Sequence, residues 1–569
     1  MSESYIIAID FGSAYSGYAF SITPRGAEPD PHLSQWGKEL GLESPKTPTC
    51  ILFNQDEEFL KFGYEAKTAY VNMPGQEART HFFFEYFKMA LYGTKLNNDV
   101  RIEAANRKSM KALKVFTAAL RYMKEHSLET IKNNTEGRRF IASDFIWVLT
   151  VPAIWDPSAK QFMREAAIQA GIVTAGTEHN LIIALEPEAA SVWCKNLPAE
   201  GFITENHGRG ALGQSPGTQY IVADCGGGTI DITVHEVLDG GALKELHKAS
   251  GNDLGGQSVD RKFKEFLREI FCDGVWDEYE GKCPSELQKI MYDFMYFKQV
   301  DNEVQFSCPY NLGTLAQKRQ EIEKFFESVQ GASWNEGWIK ISKEKLRSFF
   351  DESLEGITDS LSEILRRDLS IQYILLVGGY AGSLILRNHV IDQFGDWCNV
   401  VCPFRPQEAI VKGAVQFGRN PGLVASRKSP FTYGVSVSKI FIEAKHRPDK
   451  KYRSDVGDLC CDIFMKLVEE GEDVGWNETR EHFLYATEAF LTTASLTFYC
   501  SKKKNPSYVD EPGVYKVASF HVKMPDTTRG VNRKVKLEIK FGSTEITAIG
   551  TDLSSGTKGS AKIDFMTTA

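Results

Sequence analysis

Two short segments, one near the start of the chain and one beyond position 220, each join a strand-end carboxylate to a glycine-containing turn. Ile7-Ala8-Ile9-Asp10-Phe11-Gly12-Ser13-Ala14 is echoed by Ile221-Val222-Ala223-Asp224-Cys225-Gly226-Gly227-Gly228-Thr229. Glycines in such a turn remove side chains where backbone N–H groups must approach an anion, and they leave a concave nest for phosphate oxygens. Thr229 adds a hydroxyl donor. An aspartate at the strand end supplies a hard oxygen that holds Mg²⁺ through its waters. Alone, a Gly-Gly-Gly-Thr turn reads equally well as a tight hairpin. Its pairing with the Asp10 turn is what favours phosphate chemistry, because two equivalent lobes facing each other would bring both turns to one cleft. No GxxxxGK[ST] sequence is present, so a P-loop is excluded.

Turns of this kind need buried strands behind them. Tyr5–Asp10, Ile146–Val151, Tyr220–Asp224 and Ile371–Val377 are short apolar runs followed by Gly or Pro, and they read as such strands. Amphipathic helices lie between them. Phe263, Phe266, Leu267, Ile270 and Phe271 form one apolar face at helical spacing, as do Met110, Leu113, Phe116, Leu120 and Met123. The mixture predicts α/β architecture. Near Arg427-Lys428-Ser429-Pro430 the pattern changes to period two, as in Val535-Lys536-Leu537-Glu538-Ile539-Lys540-Phe541. That alternation predicts antiparallel strands and a β-sandwich. Gly201 to Gly217 reads as a surface loop.

Composition narrows the class. Of 569 residues, 42% are hydrophobic and 25% charged, a globular balance that excludes wholesale disorder. The net charge of −9 argues against a general nucleic-acid or anionic-membrane binder, which needs a basic surface. The basic run from Lys445 to Arg453 and the cluster Lys502-Lys503-Lys504 read as solvated loops. The opening residues lack the pattern of a secretory leader, and no apolar stretch is long enough for a transmembrane segment. Eleven scattered cysteines give no disulfide framework and no four-ligand zinc pattern. A cytoplasmic protein with reduced thiols is the expectation.

In this order the motifs resemble the actin-like ATPase superfamily, which includes actin, sugar kinases and the 70-kDa heat-shock chaperones. Similarity to the chaperones continues through Thr150-Val151-Pro152-Ala153, Glu186-Pro187-Glu188-Ala189-Ala190, Leu254-Gly255-Gly256 with Asp260, Val377-Gly378-Gly379, and Pro406 to Val415. The C-terminal part resembles a diverged chaperone substrate-binding β-domain, in Phe541 to Ala548 and Thr551 to Thr557. Ser429 to Val435 and Ile563-Asp564-Phe565 look like the divergent heat shock 70 kDa protein 12A/12B branch. The resemblance implies a two-lobed actin-like nucleotide-binding domain over residues 1–425 and a β-sandwich over 430–569, with no helical lid.

It also implies a set of roles. Asp10 and Asp224 would hold hydrated Mg²⁺. Gly12, Ser13, Ala14 and Tyr15 would line one phosphate hairpin, and Gly226, Gly227, Gly228 and Thr229 the other. Lys67 matches the family lysine beside the γ-phosphate; Glu186 would sit near the metal and the attacking water, with Asp231 alongside. Gly255, Gly256, Lys298, Gly378, Gly379 and Tyr380 complete the implied ATP/ADP site. Such chemistry needs in-line positioning and charge neutralisation, with little covalent help. By residue type alone, Lys67 also reads as a solvated helix lysine and Glu186 as a helix-start carboxylate.

The pattern departs from the family in several places. Ala14 stands where the chaperones have threonine, and Gly382 where they have the adenine-stacking arginine; Tyr380 offers an alternative aromatic face. Val424-Ala425-Ser426-Arg427-Lys428-Ser429 replaces an acidic, leucine-rich linker, so the family's coupling contacts are not expected. The expected function is an atypical chaperone-like ATP-binding protein with slow Mg-dependent hydrolysis, engaging a protein client or partner through its β-domain. A nucleotide-dependent interaction module without turnover is the alternative. A small-molecule kinase of the same superfamily would further require an acceptor pocket with a carboxylate base.

Overall fold

The computed structural model describes residues 5–23, 30–94, 96–97, 99–174, 176–203, 212–541 and 546–562. Residues 204–211 of the Gly201–Gly217 segment, the stretch 542–545 and the closing Ile563-Asp564-Phe565 lie outside the described residues.

Two sheets carry the first two-thirds of the chain, and each is built on the same unit. In the first, strand Tyr5–Phe11 pairs antiparallel with Tyr15–Ser21 and parallel with Phe145–Val151, which pairs in turn with Leu181–Leu185. In the second, Gln219–Cys225 pairs antiparallel with Ile230–Val237 and parallel with Ile371–Val377. Asp10 opposes Gly17 and Asp224 opposes Asp231, so each hairpin closes over four residues, 12–15 and 226–229. The repeat seen in the sequence is therefore a repeat of topology.

These first strands are continuously apolar because both faces are covered. Along Tyr5–Phe11, Ile7, Ile9 and Phe11 enter one core, while Ile6 and Ala8 enter a second that also holds Tyr220, Val222 and Leu375. Ile221, Ala223 and Cys225 face a third core with the helix residues Phe263, Phe266, Leu267, Ile270 and Phe271. The middle core is shared between the sheets. Helices Glu186–Cys194 and Ala409–Arg419 cross within it so closely that a Cβ on Gly413 would fall 1.7 Å from the Ala189 carbonyl oxygen. Only glycine permits that approach.

The segment Val424–Lys428 is itself a strand. It pairs parallel with Leu243–Asn252 and antiparallel with Asp473–Gly475, so residues from beyond position 430 close the edge of the second large sheet. Downstream, a five-stranded and a four-stranded antiparallel sheet share one apolar core that includes Val435, Phe498, Phe520, Leu537 and Ile539. Arg533, fully buried, donates to the carbonyls of Glu488, Ala489, Leu491, Met524 and Gly530 and thereby ties three loops together. In the basic run, Arg447, Lys450, Lys451 and Arg453 pair with Asp449, Asp458, Asp462 and Asp510. All eleven cysteines are free thiols. No described helix is long and apolar enough to cross a membrane.

Candidate functional site

The two four-residue turns meet across a cavity of about 520 Å³ between the large sheets. They touch directly: a Cβ on Gly227 would lie 2.6 Å from the Ala14 Cβ, and one on Gly228 would lie 2.7 Å from Ser13 Oγ. The small side chain at position 14 is what lets the turns approach. A third turn supports the second one from behind. Backbone N–H groups of Gly255, Gly256 and Gln257 donate to the carbonyls of Gly228, Gly226 and Gly227 at 3.2, 3.1 and 2.7 Å. A Cβ on Gly255 would stand 2.7 Å from backbone atoms of Gly226, Gly227 and Gly228, so the glycine is fixed by this stacking.

Most of the residues singled out from the sequence line this cavity: Asp10, Gly12, Ser13, Ala14, Tyr15, Glu186, Asp224, Gly226, Gly227, Gly228, Thr229, Gly256, Lys298, Gly378, Gly379 and Tyr380. Gly255 and Asp231 lie behind the lining. Asp231 accepts from Thr229 Oγ1 at 2.6 Å and from the Ile154 N–H at 2.9 Å, which orients the threonine hydroxyl. Lys298 donates to Asp260 at 2.6 Å and to the Gly256 carbonyl at 3.0 Å, bracing the third turn. Gly378, at φ 88°, would place a Cβ 2.4 Å from Asp224 Oδ1, so position 378 admits only glycine on both conformation and space. The Tyr380 ring packs near Phe350, with centroids 6.2 Å apart, and its Cγ would meet a Cβ on Gly256 at 3.4 Å. It forms wall and floor, while the space beside Gly379 and Gly382 is open.

Lys67 is not among the lining residues. Its ammonium donates to Glu85 at 2.8 Å and to Gln288 at 2.9 Å, and lies 5.5 Å from the Phe83 ring centroid. Two lysines not singled out from the sequence take the cleft positions instead. Lys46 Nζ is 2.5 Å from Asp10 Oδ2, and Lys88 Nζ is 2.6 Å from Glu186 Oε1. Lys46 sits in the turn Ser44-Pro45-Lys46 and Lys88 in a short 3-10 turn. Neither segment carries a local motif that marks it.

Four carboxylates, from Asp10, Glu186, Asp224 and Asp231, crowd one side of the cleft, and all four are buried. Burial pushes Glu186 up to about 7, with Lys88 opposing and Asp10 and Asp231 adding to the rise. Asp224 is driven well above the ordinary carboxylate range by burial and by the neighbouring charges of Glu186, Asp231 and Asp10. Asp224 Oδ1 is buried without a hydrogen-bond partner among the described residues. A hard divalent cation held through water would favour the ionised forms of these crowded carboxylates, and the orphaned Asp224 oxygen fits such an ion.

One helical turn links this cleft to the strand Val424–Lys428. Glu186 faces the cavity, and two residues on, Glu188 accepts a bidentate pair from Arg427, Nε to Oε1 and Nη2 to Oε2, both at 2.6 Å. The Glu188 side chain is 1% exposed. The Arg427 guanidinium lies 5.9 Å from the ring centroids of Phe417 and Trp476. Glu245 nearby accepts from the Lys428 N–H at 2.7 Å, and burial together with Glu188 pushes its carboxyl up to about 7.

Comparison with known proteins places this geometry. The family model described as Hsp70 protein matches residues 44–419. The chain is 31% identical to human heat shock 70 kDa protein 12A and 32% identical to human heat shock 70 kDa protein 12B, in each case over 99% of this chain and 91% of the relative. Chaperone protein DnaK of Thermosipho melanesiensis is 22% identical over 76% of this chain and 64% of its own length. With paired hairpin turns facing one cleft and similarity along nearly the whole chain, the protein belongs to the Hsp70 protein family.

Proposed function

We propose that the chain is an atypical chaperone-like protein that binds ATP in the cleft between its two large sheets and hydrolyses it slowly with Mg²⁺. The observation that carries this reading is the contact of two four-residue, glycine-containing turns from topologically equivalent hairpins, backed by buried carboxylates. Backbone N–H groups of residues 12–15 and 226–229 and the Thr229 hydroxyl would cradle the phosphates. Asp10 and Asp224 would hold the metal through its waters. A Mg²⁺ ion held there would supply positive charge to offset that of the phosphates. Glu186, buried and paired with Lys88, would orient a water and accept its proton. Gly378 and Gly379 leave room for the nucleoside, and Lys298 braces the turn beneath it.

The downstream sheets are read as a β-sandwich that engages a protein partner, in a cytoplasmic protein. A second reading, a nucleotide-dependent interaction module without turnover, is favoured by one observation: Lys67, the family's phosphate lysine, is held by Glu85 and Gln288 outside the cleft lining. Calorimetric titration of the full chain with ATP, ADP and GTP in Mg²⁺, followed by an ADP-production assay, tests both. Adenine-nucleotide binding with slow ADP production is expected. Binding without ADP production selects the module, and no nucleotide binding refutes both readings.

A further inference from the structure

A 3-10 turn, Phe87–Leu91, enters the cleft beside the phosphate hairpins. Tyr86 ahead of it has φ 56°, a left-handed conformation that a bulky residue seldom takes, and the chain turns sharply there. In consequence Met89 lies against both hairpins: Ser13 Oγ is 3.5 Å from its Sδ, and a Cβ on Gly228 would fall 2.2 Å from that sulfur. Lys88 is carried into the cavity lining by the same turn, 1% exposed, with its Nζ 5.1 Å from the Trp155 ring centroid.

We propose that Lys88, and not Lys67, supplies the ammonium that contacts the terminal phosphate of a nucleoside triphosphate bound here, while Lys67 is a structural counter-ion. The proposal rests on the nucleotide reading given above. An ammonium has three N–H donors, and among the described residues Lys88 gives one to Glu186 and presents another side to the Trp155 face. Lys88 lines the cavity, where its remaining N–H would meet a ligand. Lys67 donates to two acceptors, one of them on helix Pro284–Phe297, and so ties helix Gly63–Val71 to that helix. The surroundings of Lys88 exclude most water, which leaves its charge weakly screened toward an incoming anion. Lys46 is paired with Asp10 and Lys298 with Asp260 in the same cleft, so each of the three lining lysines sits on one carboxylate before any ligand arrives.

The test measures binding of ADP and of a non-hydrolysable ATP analogue to the full chain, with Mg²⁺, for wild type, Lys88→Met and Lys67→Met. Lys88→Met is expected to weaken the triphosphate analogue about ten- to a hundredfold more than ADP, the range for loss of a charge-assisted contact. Lys67→Met is expected to leave the ratio of the two affinities unchanged. Thermal melts accompany each variant, and Lys88→Arg, which keeps the charge, should retain part of the triphosphate preference even if the methionine variant unfolds. An unchanged ratio in Lys88→Met, or a lost triphosphate preference in Lys67→Met, overturns the proposal. Wild-type protein that binds neither nucleotide overturns the nucleotide reading itself and this assignment with it. Wild-type protein that binds both while Lys88→Met and Lys88→Arg keep the wild-type ratio overturns the lysine assignment alone.

Discussion

Replacing Arg427 with leucine should loosen the strand that joins the cleft to the downstream sheets. The substitution leaves the Glu188 carboxylate, 1% exposed, without its two 2.6 Å hydrogen bonds and beside the buried Glu245. Breaking a buried pair by removing one partner costs about 3–5 kcal/mol, because the remaining charge is uncompensated. Replacing both members with leucine removes that penalty, and the double variant Glu188→Leu/Arg427→Leu should return to within roughly 1–2 kcal/mol of wild type. The strand pairs only at Val424 and Ser426 on one side and at Ser426, Arg427 and Lys428 on the other, so the loss should appear first as local opening. Hydrogen exchange at residues 424–428 is the assay. Protection should fall by a factor of about 10² to 10³ in Arg427→Leu, which is the lower part of that energy range expressed as an equilibrium, and recover in the double variant. Protection within tenfold of wild type in the single variant, or equal loss in the double variant, would refute the reasoning.

Two further outcomes follow from buried groups elsewhere. Glu245 has an ordinary value of 4.5 and a folded value near 7, so the folded protein holds a proton that the unfolded chain releases. Its contribution is complete below about pH 4.5 and lost as pH rises through 7; Glu245→Gln should remove up to about 3 kcal/mol of that pH dependence, read by urea unfolding at pH 5 and pH 8. Arg533→Met should destabilise the downstream sheets by about 3 kcal/mol or more, since it strips donors from the carbonyls of Glu488, Ala489, Leu491, Met524 and Gly530. Near-ultraviolet circular dichroism on melting would show it, and an unchanged transition would contradict the role given to this side chain.

Much of the framework was legible because it is local. Apolar runs ending in Asp-x-Gly specify a buried strand and its turn within ten residues, and the helix Gly256–Ile270 could be read from the spacing of Phe263, Phe266, Leu267, Ile270 and Phe271. The α/β framework and family membership followed from the same segments. What escaped depends on contacts between distant positions. Lys46 reaches Asp10 across 36 positions and Lys88 reaches Glu186 across 98, each from an irregular turn with no periodicity. Lys67 stands in a family-like segment, yet its partners, Glu85 and Gln288, lie 18 and 221 positions away. The stretch from Val424 to Ser429 shows in sequence only what it lacks. In space its arginine meets Glu188, a carboxylate within the Glu186-Pro187-Glu188 segment, so a charge pair stands where the sequence offered no contact.

The lysine poised over Trp155 has a spectroscopic consequence. An indole's excited state differs from its ground state in dipole, so a nearby fixed charge tunes the colour of its emission. Trp155 is 3% exposed, and the Lys88 ammonium stands 5.1 Å from its ring centroid. Any anion that draws that ammonium toward the cavity alters the field at the ring. The chain thus carries an optical gauge of its own cleft, which can be isolated from the eight other tryptophans by subtracting the spectrum of Trp155→Phe.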